Sequence, residues 1–394
     1  MRQPLPATTN CAYKSCPRAM LRHSRGLGWK HRHACRSSPT MRSHVPKAVV
    51  DAGWASVREV LDDALASDRA SDIGWEGALL SVFDRNGEVI LEHGAGTSPV
   101  LPEQRMPVAS ASKIVAALVV LRLIDRGVLN WDDTLGGVLG WRDAQAGAAT
   151  VDQLGAMVGG LNTFSPLMFD PSISLQECVA RLEKETGPFA EPGNTMCYSG
   201  AQLHALAAMC EVKSGMSWAA LFEAEVKAPL GLTDDGLVFA TIPGVDSPVV
   251  SDNPMVSGGL IATPREFRRI LQVVLEPGDF VTRGNLGRLF RNPYARAENV
   301  SDSNPLLLPC KGKRYGFGCW LEGAGAPGEI VQSSGIVSSP GFNGFCPWVD
   351  RDAGYGAILA AHVQDGQIFG LSVATATALM RPIADAVTNR APAS

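Results

Sequence analysis

A serine and a lysine three residues apart, Ser110 and Lys113, are the side chains of this sequence best suited to do chemistry. The stretch from Ile114 to Ile124 is apolar on nearly every side, which predicts a buried helix that begins close to Ser110. N–H groups at a helix N-terminus favour developing negative charge. Lys113 would lie one turn above the hydroxyl, and an amine in a low-dielectric site has a lowered pKa and can relay a proton. The pair indicates a serine nucleophile that works without histidine.

Two later segments accompany this pair. Residues 191–200 form a Pro-Gly turn that leads into Tyr198 and a helical stretch, and residues 339–344 (Ser-Pro-Gly-Phe-Asn-Gly) precede a strand. In this order the three sites resemble the serine β-lactamase-like superfamily, most of all the branch of class C β-lactamases, D-aminopeptidases and family VIII esterases. The resemblance covers about residues 50 to 380. It extends to four flanking stretches: Leu123–Leu129, Ala228–Thr233, Ser257–Thr263 and Tyr315–Trp320.

The resemblance implies a role for each matching residue. Ser110 would be the nucleophile, Lys113 its activating partner and Tyr198 the general base, with its phenolate stabilised by the nearby lysine. The oxyanion hole would consist of the backbone N–H groups of Ser110 and Phe342. The expected substrate-binding positions are Gly200, Ser339 and Gly341, the last because glycine allows a close backbone approach to substrate.

Two positions depart from the family pattern. Gly200 stands where an asparagine would hold the lysine and the acylamide of a β-lactam, and Ser339 stands where Lys, His or Trp would help bind the substrate carboxylate. Losing one charge-assisted hydrogen bond costs roughly 1.5–3 kcal/mol. We therefore expect a serine hydrolase or acyltransferase that acts on a small ester or amide through an acyl-Ser110 intermediate. A β-lactamase or D-amino-acid peptidase, and a non-catalytic binding homologue, remain as alternatives.

The distribution of elements predicts an α+β fold. Strands near both ends of the chain enclose a helical centre, which implies a sheet completed by both chain ends with a helical lobe inserted between them. The resemblance implies the same β-lactamase/transpeptidase-like architecture, an antiparallel sheet flanked by helices. The expected boundaries are residues 47–125 and 310–394 for the α/β part and 126–309 for the lobe. Strands are predicted at Gly316–Leu321, Ile330–Gln332, Phe345–Val349 and Tyr355–His362, after a hairpin within Trp75–Gly94.

The first 46 residues differ from the rest. Residues 1–50 contain ten Lys or Arg and no acidic residue, without a periodic apolar face, which predicts a disordered basic extension; an organellar transit peptide is the alternative. The whole chain has a net charge of −4 and no apolar run near the ~18 residues of a membrane span, so neither nucleic acid nor a membrane is an expected partner. Without a secretory signal, the cytoplasm is the favoured compartment, and the oligomeric state stays open.

Two patterns that suggest other chemistry are judged coincidental. Gly323–Gly328 matches G-x-G-x-x-G, but it contains Pro327 and is followed by the strand-like Glu329–Gln332, where a dinucleotide site needs a helix. Ser251-Asp-Asn253 copies a β-lactamase motif, yet Tyr198 already occupies its expected place. No His, Cys or carboxylate cluster has ligand spacing, so no metal site and no cofactor is expected.

Overall fold

Two long hydrophobic segments from opposite ends of the chain are neighbours in the central sheet. In the computed structural model, which describes residues 54–162, 164–186, 189–244, 247–323, 332–363 and 368–389, strand β1 (Trp75–Asp84) pairs antiparallel with β12 (Tyr355–Val363). Leu79 lies opposite Ala360 in this pairing, and both side chains are buried. The first and last thirds of the chain therefore build one core.

The remaining strands complete this sheet and two smaller ones. They are β2 (Val89–Gly96), β3 (Met106–Pro107), β4 (Thr195–Met196), β5 (Val238–Phe239), β6 (Leu260–Ala262), β7 (Glu298–Asn299), β8 (Arg314–Tyr315), β9 (Trp320–Leu321), β10 (Ile336–Ser338) and β11 (Phe345–Asp350). The main sheet has the order β2-β1-β12-β11-β10-β9-β8, and every pairing in it is antiparallel. A three-stranded sheet has the order β3-β6-β5, and β4 pairs with β7 in parallel.

The α-helices of the described residues lie before, between and after these strands. They are α1 (Ala55–Ala66), α2 (Asp68–Asp72), α3 (Ser112–Asp125), α4 (Leu135–Leu139), α5 (Val151–Gly155), α6 (Leu175–Thr186), α7 (Gly200–Ser214), α8 (Trp218–Phe222), α9 (Pro264–Leu275), α10 (Arg283–Leu286) and α11 (Phe369–Thr388). Short 3₁₀ helices at Ala109–Ala111 and Pro166–Phe169 and a π-helical turn at Glu223–Lys227 connect them. These bounds confirm the α+β class and the expected antiparallel sheet.

Helix α3 runs through the middle of the core and begins beside the candidate nucleophile. From Ser112 to Leu121 every side chain is buried, as the sequence predicts for a helix that is apolar all round. Burying a Val, Leu or Ile side chain stabilises the fold by about 1.5–3 kcal/mol each. Such a helix cannot shift easily against its neighbours, so the lysine on its first turn has a fixed position.

The predicted strand at Gly316–Leu321 is wrong in its first half. Residues 314–321 form the hairpin β8-β9, and its tip packs against α3: a Cβ on Gly318 would lie 2.6 Å from the Ala117 Cβ. Gly318 also has φ +78°, which favours glycine, so the segment turns where a strand was expected. Strand β10 was not predicted, since three residues give little periodic signal. The hairpin at Trp75–Gly94 and the strands at 345–349 and 355–362 match β1-β2, β11 and β12.

Parts of the sequence interpretation lie outside the described residues. The basic extension of residues 1–46, most of the Gly323–Gly328 motif and most of the expected strand at Ile330–Gln332 are among them. The boundaries at 125/126 and 309/310 stay a prediction. Within the described part, no helix is both long and apolar enough to cross a bilayer.

Candidate active site

The candidate nucleophile lies in a strained turn. Ser110 is the middle residue of the 3₁₀ helix Ala109–Ala111, which continues directly into α3. Its N–H is in the first turn, before any intrahelical carbonyl is available to it. Ala109 has φ +47°, a left-handed conformation that costs a non-glycine residue about 1–3 kcal/mol. The surroundings must hold this turn in place.

Hydrogen bonds to strand β6 provide part of this support. The Ser112 Oγ donates to the Ala109 carbonyl at 2.6 Å and accepts the N–H of Leu260 at 3.0 Å. The Val108 N–H in turn donates to the Leu260 carbonyl at 3.0 Å. The turn is therefore attached to the three-stranded sheet on one side.

The lysine is buried and hydrogen-bonded to the serine. Lys113 is 3% exposed, and its Nζ donates to the Ser110 Oγ at 3.0 Å and to the Ser257 carbonyl at 2.6 Å. Burial disfavours the charged amine and lowers the pKa of Lys113 to about 7. Near neutral pH a substantial fraction of the amine is uncharged, which is the form that can accept a proton from Ser110.

Aromatic rings orient Tyr198. Its ring stacks on Trp320 with centroids 5.2 Å apart and planes 20° apart, and meets the edge of Tyr315 at 5.7 Å. The Lys113 Nζ lies 4.7 Å from the centroid of the Tyr198 ring. The tyrosine and lysine of the expected relay are thus adjacent.

Hydrogen bonds from backbone N–H groups hold the segment before α7. The Tyr198 N–H donates to the Ser301 Oγ at 2.8 Å, and the N–H of Cys197 donates to the Met157 carbonyl at 2.9 Å. Met157 has φ +60°; it and Ala109 are the non-glycine residues with positive φ within the described residues. Ala109 adjoins Ser110 in sequence, and Met157 is hydrogen-bonded to Cys197, the residue that precedes Tyr198.

The third segment packs against the nucleophile turn. Ser339 is 2% exposed, and its Oγ donates to the Ser110 carbonyl at 2.8 Å. A Cβ on Gly341 would lie 2.1 Å from the Val108 carbonyl oxygen, so the close approach that requires glycine here is to the protein's own backbone. The Gly341 N–H donates to the Phe345 carbonyl, which leaves the Phe342 N–H as the next donor along the segment.

The place of the missing asparagine is filled. A Cβ on Gly200 would lie 2.5 Å from the Met168 Cε, 3.0 Å from the Ser257 Oγ and 3.4 Å from the Phe164 ring. An apolar methyl group therefore occupies the region into which an asparagine at position 200 would extend. Ser257 lies beside the same space, and its carbonyl accepts the hydrogen bond from Lys113.

Direct contacts join most of the sequence-predicted site residues. Ser110 contacts Lys113 and Ser339, and Lys113 contacts Tyr198. Sequence reasoning assigned no role to Ser257, Met168 and Trp320. Ser257 and Trp320 lie in stretches that resemble the family, a signal that could have found them, whereas nothing in the sequence marks Met168.

The histidines of the described residues take no part in this contact set. His93 bonds to Asp62 at 3.0 Å and His362 to Ser98 at 3.1 Å. His204 is buried on α7, its Nδ1 lies 3.2 Å from the Gly200 carbonyl, and burial lowers its pKa to about 4. Asn253 of the Ser251-Asp-Asn253 sequence donates to the carbonyls of Leu167 and Asp170, so it holds the 3₁₀ helix that carries Met168.

Comparison with known proteins identifies the family of this chain. The family model described as Beta-lactamase matches residues 61–379, which is most of the chain. The chain belongs to the beta-lactamase family. Among curated proteins it is similar to the esterase EstB of Burkholderia gladioli, with 26% identity over 361 residues, covering 77% of this chain and 89% of that protein.

Solved structures show the same fold. A protein from Bacteroides dorei DSM 17855 assigned as a beta-lactamase matches with a TM-score of 0.67 and 23% identity, over 85% of this chain and 99% of its own. EstCE1, a hydrolase with promiscuous acyltransferase activity, matches with a TM-score of 0.63 and 20% identity, over 85% of this chain and 100% of its own. These likenesses show the fold, and the match of the family model shows the family.

Proposed function

We propose that this protein is a serine hydrolase or acyltransferase that acts on small esters through an acyl-Ser110 intermediate. The observation that carries the proposal is the 3.0 Å contact between the Lys113 Nζ and the Ser110 Oγ, made by an amine whose pKa is about 7. An adjacent base of this kind activates a serine hydroxyl. The similarity to an esterase and to a hydrolase with acyltransferase activity supports the same reaction class.

In the proposed acylation step, uncharged Lys113 takes the place of Tyr198 as the base: it accepts the Ser110 proton while the Ser110 Oγ bonds to the ester carbonyl carbon. The N–H groups of Ser110 and Phe342 stabilise the resulting oxyanion. The carbon–oxygen bond to the leaving alcohol then breaks, and the proton passes from Lys113 to the alkoxide, with Tyr198 as the relay. A water molecule or a second alcohol then attacks the acyl carbon and gives its proton to the same relay. The bond between the acyl carbon and the Ser110 Oγ breaks, the relay returns the proton to the Ser110 Oγ, and the acid or the new ester leaves.

Two features support an ester over a β-lactam. The Met168 methyl group lies beside the place where the side chain of an asparagine at position 200 would begin, and the Ser339 hydroxyl donates to the Ser110 carbonyl. A β-lactam would therefore lack an amide contact and a cationic contact. At roughly 1–3 kcal/mol each, such losses amount to about tenfold to ten-thousandfold in kcat/KM.

β-Lactam or D-amino-acid peptide hydrolysis is the second candidate, favoured by the family model itself. The nucleophile and base would be shared, so only the substrate preference would differ. Hydrolysis of nitrocefin at a kcat/KM equal to that of the best p-nitrophenyl ester would favour this candidate.

Labelling with a fluorophosphonate probe tests whether the chain is an enzyme at all. We expect a covalent adduct on Ser110, located by mass spectrometry, with no adduct on the Ser110→Ala variant. Ser303→Ala is a matched control, because its exposed hydroxyl donates only to the Val300 carbonyl at 2.8 Å. A folded protein that is never labelled on Ser110 would instead be a non-catalytic binding homologue.

A further inference from the structure

The two peptide groups that flank Ser110 are each held by a serine hydroxyl. The Ala109 carbonyl accepts the Ser112 Oγ at 2.6 Å, and the Ser110 carbonyl accepts the Ser339 Oγ at 2.8 Å. Ser112 is the first residue of α3, directly after the 3₁₀ helix that contains the nucleophile. Ser339 follows β10 in the main sheet, so its hydrogen bond ties the nucleophile turn to a distant part of the chain.

These bonds matter because the turn is strained. A left-handed alanine persists only where the surroundings over-determine the backbone, and Ala109 has φ +47°. The Ala109 carbonyl and the Ser110 N–H are opposite ends of one peptide group, so the direction of the carbonyl sets the direction of the N–H. The peptide after Ser110 must be fixed too, or the residue could rotate between its neighbours.

Ser339 is placed to fix that second peptide. It is 2% exposed, which means that its hydroxyl is directed into the protein, at the Ser110 carbonyl. Two residues later, Gly341 lies against the Val108 carbonyl so closely that a Cβ would be 2.1 Å away. The segment from Ser339 to Gly341 thus contacts the turn at two points, one on each side of Ala109.

We propose that Ser339 is a positioning residue: its hydroxyl holds the peptide group that follows Ser110, so that Ser110 cannot rotate between its two flanking peptide groups and its Oγ and oxyanion-binding N–H keep their directions. This inference rests on the proposed function, in which Ser110 is the nucleophile. In relatives the position of Ser339 is occupied by Lys, His or Trp. In this chain its role is to support the nucleophile turn. Ser339 acts through Ser110 and does not contact the substrate.

The test compares Ser339→Ala with Ser339→Thr, which keeps the hydroxyl, and with the control Ser338→Ala. Ser338 is the adjacent buried serine, and its hydroxyl donates to the Glu322 carboxylate instead. The measurements are kcat and KM for a p-nitrophenyl ester and the affinity of a boronic acid, which forms a tetrahedral adduct with a serine hydroxyl. A misplacement of about 1 Å costs on the order of a hundredfold in rate.

We expect Ser339→Ala to lose about tenfold to hundredfold in kcat and in boronic acid affinity, with KM unchanged. Ser339→Thr should recover most of the loss, and Ser338→Ala should stay within about threefold of the parent. A merely structural role would lower the melting temperature without changing boronic acid affinity in the folded protein.

Three results would overturn the inference. They are full boronic acid affinity in Ser339→Ala, an equal loss in Ser338→Ala, or a loss confined to KM, which would mean that Ser339 contacts substrate. If Ser339→Ala does not fold, Ser339→Cys replaces it: a weaker donor of similar shape should show an intermediate loss, and full activity would contradict the proposal. Failure of the proposed function is distinguishable, since the parent protein itself would then not be labelled on Ser110.

Discussion

The Lys113 Nζ lies 2.6 Å from the Ser257 carbonyl oxygen while it also reaches the Ser110 hydroxyl. Both partners are neutral oxygens, so neither supplies a negative charge that would offset the burial of an ammonium group. An uncharged amine can still donate to the Ser257 carbonyl and keep its lone pair for the serine proton. This arrangement fixes the orientation of the base, while burial keeps its pKa low.

The pH dependence of acylation should report the pKa of Lys113. Because only the uncharged amine can take the Ser110 proton, kcat/KM should rise about tenfold per pH unit below pH 7 and level off above it. Steady-state kinetics with a p-nitrophenyl ester between pH 5 and 9 would measure this. A profile that is flat between pH 6 and 8 would contradict the assignment of Lys113 as the base.

Burial of Lys113 should also make stability depend on pH. Its pKa falls from 10.5 to about 7 on folding, so between these values the unfolded chain binds one more proton than the native protein. Stability contributed by this residue therefore rises as pH increases from 7 towards 10. Relative to Lys113→Met, the parent should gain roughly 1.4 kcal/mol in unfolding free energy per pH unit, measured by urea denaturation. An unchanged difference between the two proteins across that range would refute the prediction.

Lys113 and Tyr198 should behave as one unit. Lys113→Ala and Tyr198→Phe should each reduce kcat severely, and the double variant should be little worse than either, because groups that share one proton relay are non-additive. The contact between the Lys113 Nζ and the Tyr198 ring, 4.7 Å to its centroid, places them close enough to couple. Losses that multiply in the double variant would show independent roles.

The filled space beside Gly200 leads to a paired prediction. Gly200→Asn alone should lower the melting temperature, because its Cβ would lie 2.5 Å from the Met168 Cε. Adding Met168→Ala should relieve the contact and recover part of the stability, since the small residue leaves room for the amide. Differential scanning fluorimetry measures both changes.

The Gly200→Asn, Met168→Ala double variant should also have a smaller difference in kcat/KM between a p-nitrophenyl ester and nitrocefin, because it restores an amide beside the lysine. Met168→Ala alone is the matched control, since it makes the space without supplying the amide. If that control reduces the difference in kcat/KM as much as the double variant does, the amide is not responsible.

The sequence predicts the elements that have long apolar patterns better than it predicts the short ones. The hairpin β1-β2, the strands β11 and β12 and the buried helix α3 follow from extended patterns of apolar residues. Strand β10 and the turn at Gly318 do not, because two or three residues in a chain this long are positioned by their neighbours.

The site shows the same division. The spacing of Ser110 and Lys113 predicts their contact, since residues three apart share a helix face. The hydrogen bond from Ser339 to the Ser110 carbonyl and the contact of Gly341 with Val108 depend on how the main sheet packs against the turn. Likewise, the occupation of the space beside Gly200 by Met168 is a tertiary contact that no local pattern encodes.

The pairing of Leu79 with Ala360 has a consequence for the order of folding. Until β12 leaves the ribosome, β1 has a partner on one side only and exposes an open edge that could pair with another chain. Contacts so distant along the chain also make folding slow, because loop closure must precede them. A nascent chain that stops before Tyr355 would carry Ser110, Lys113 and Tyr198, yet it would lack the strand that completes the sheet behind them. Catalytic competence would then arise late in synthesis, when β12 pairs with β1 on one side and β11 on the other.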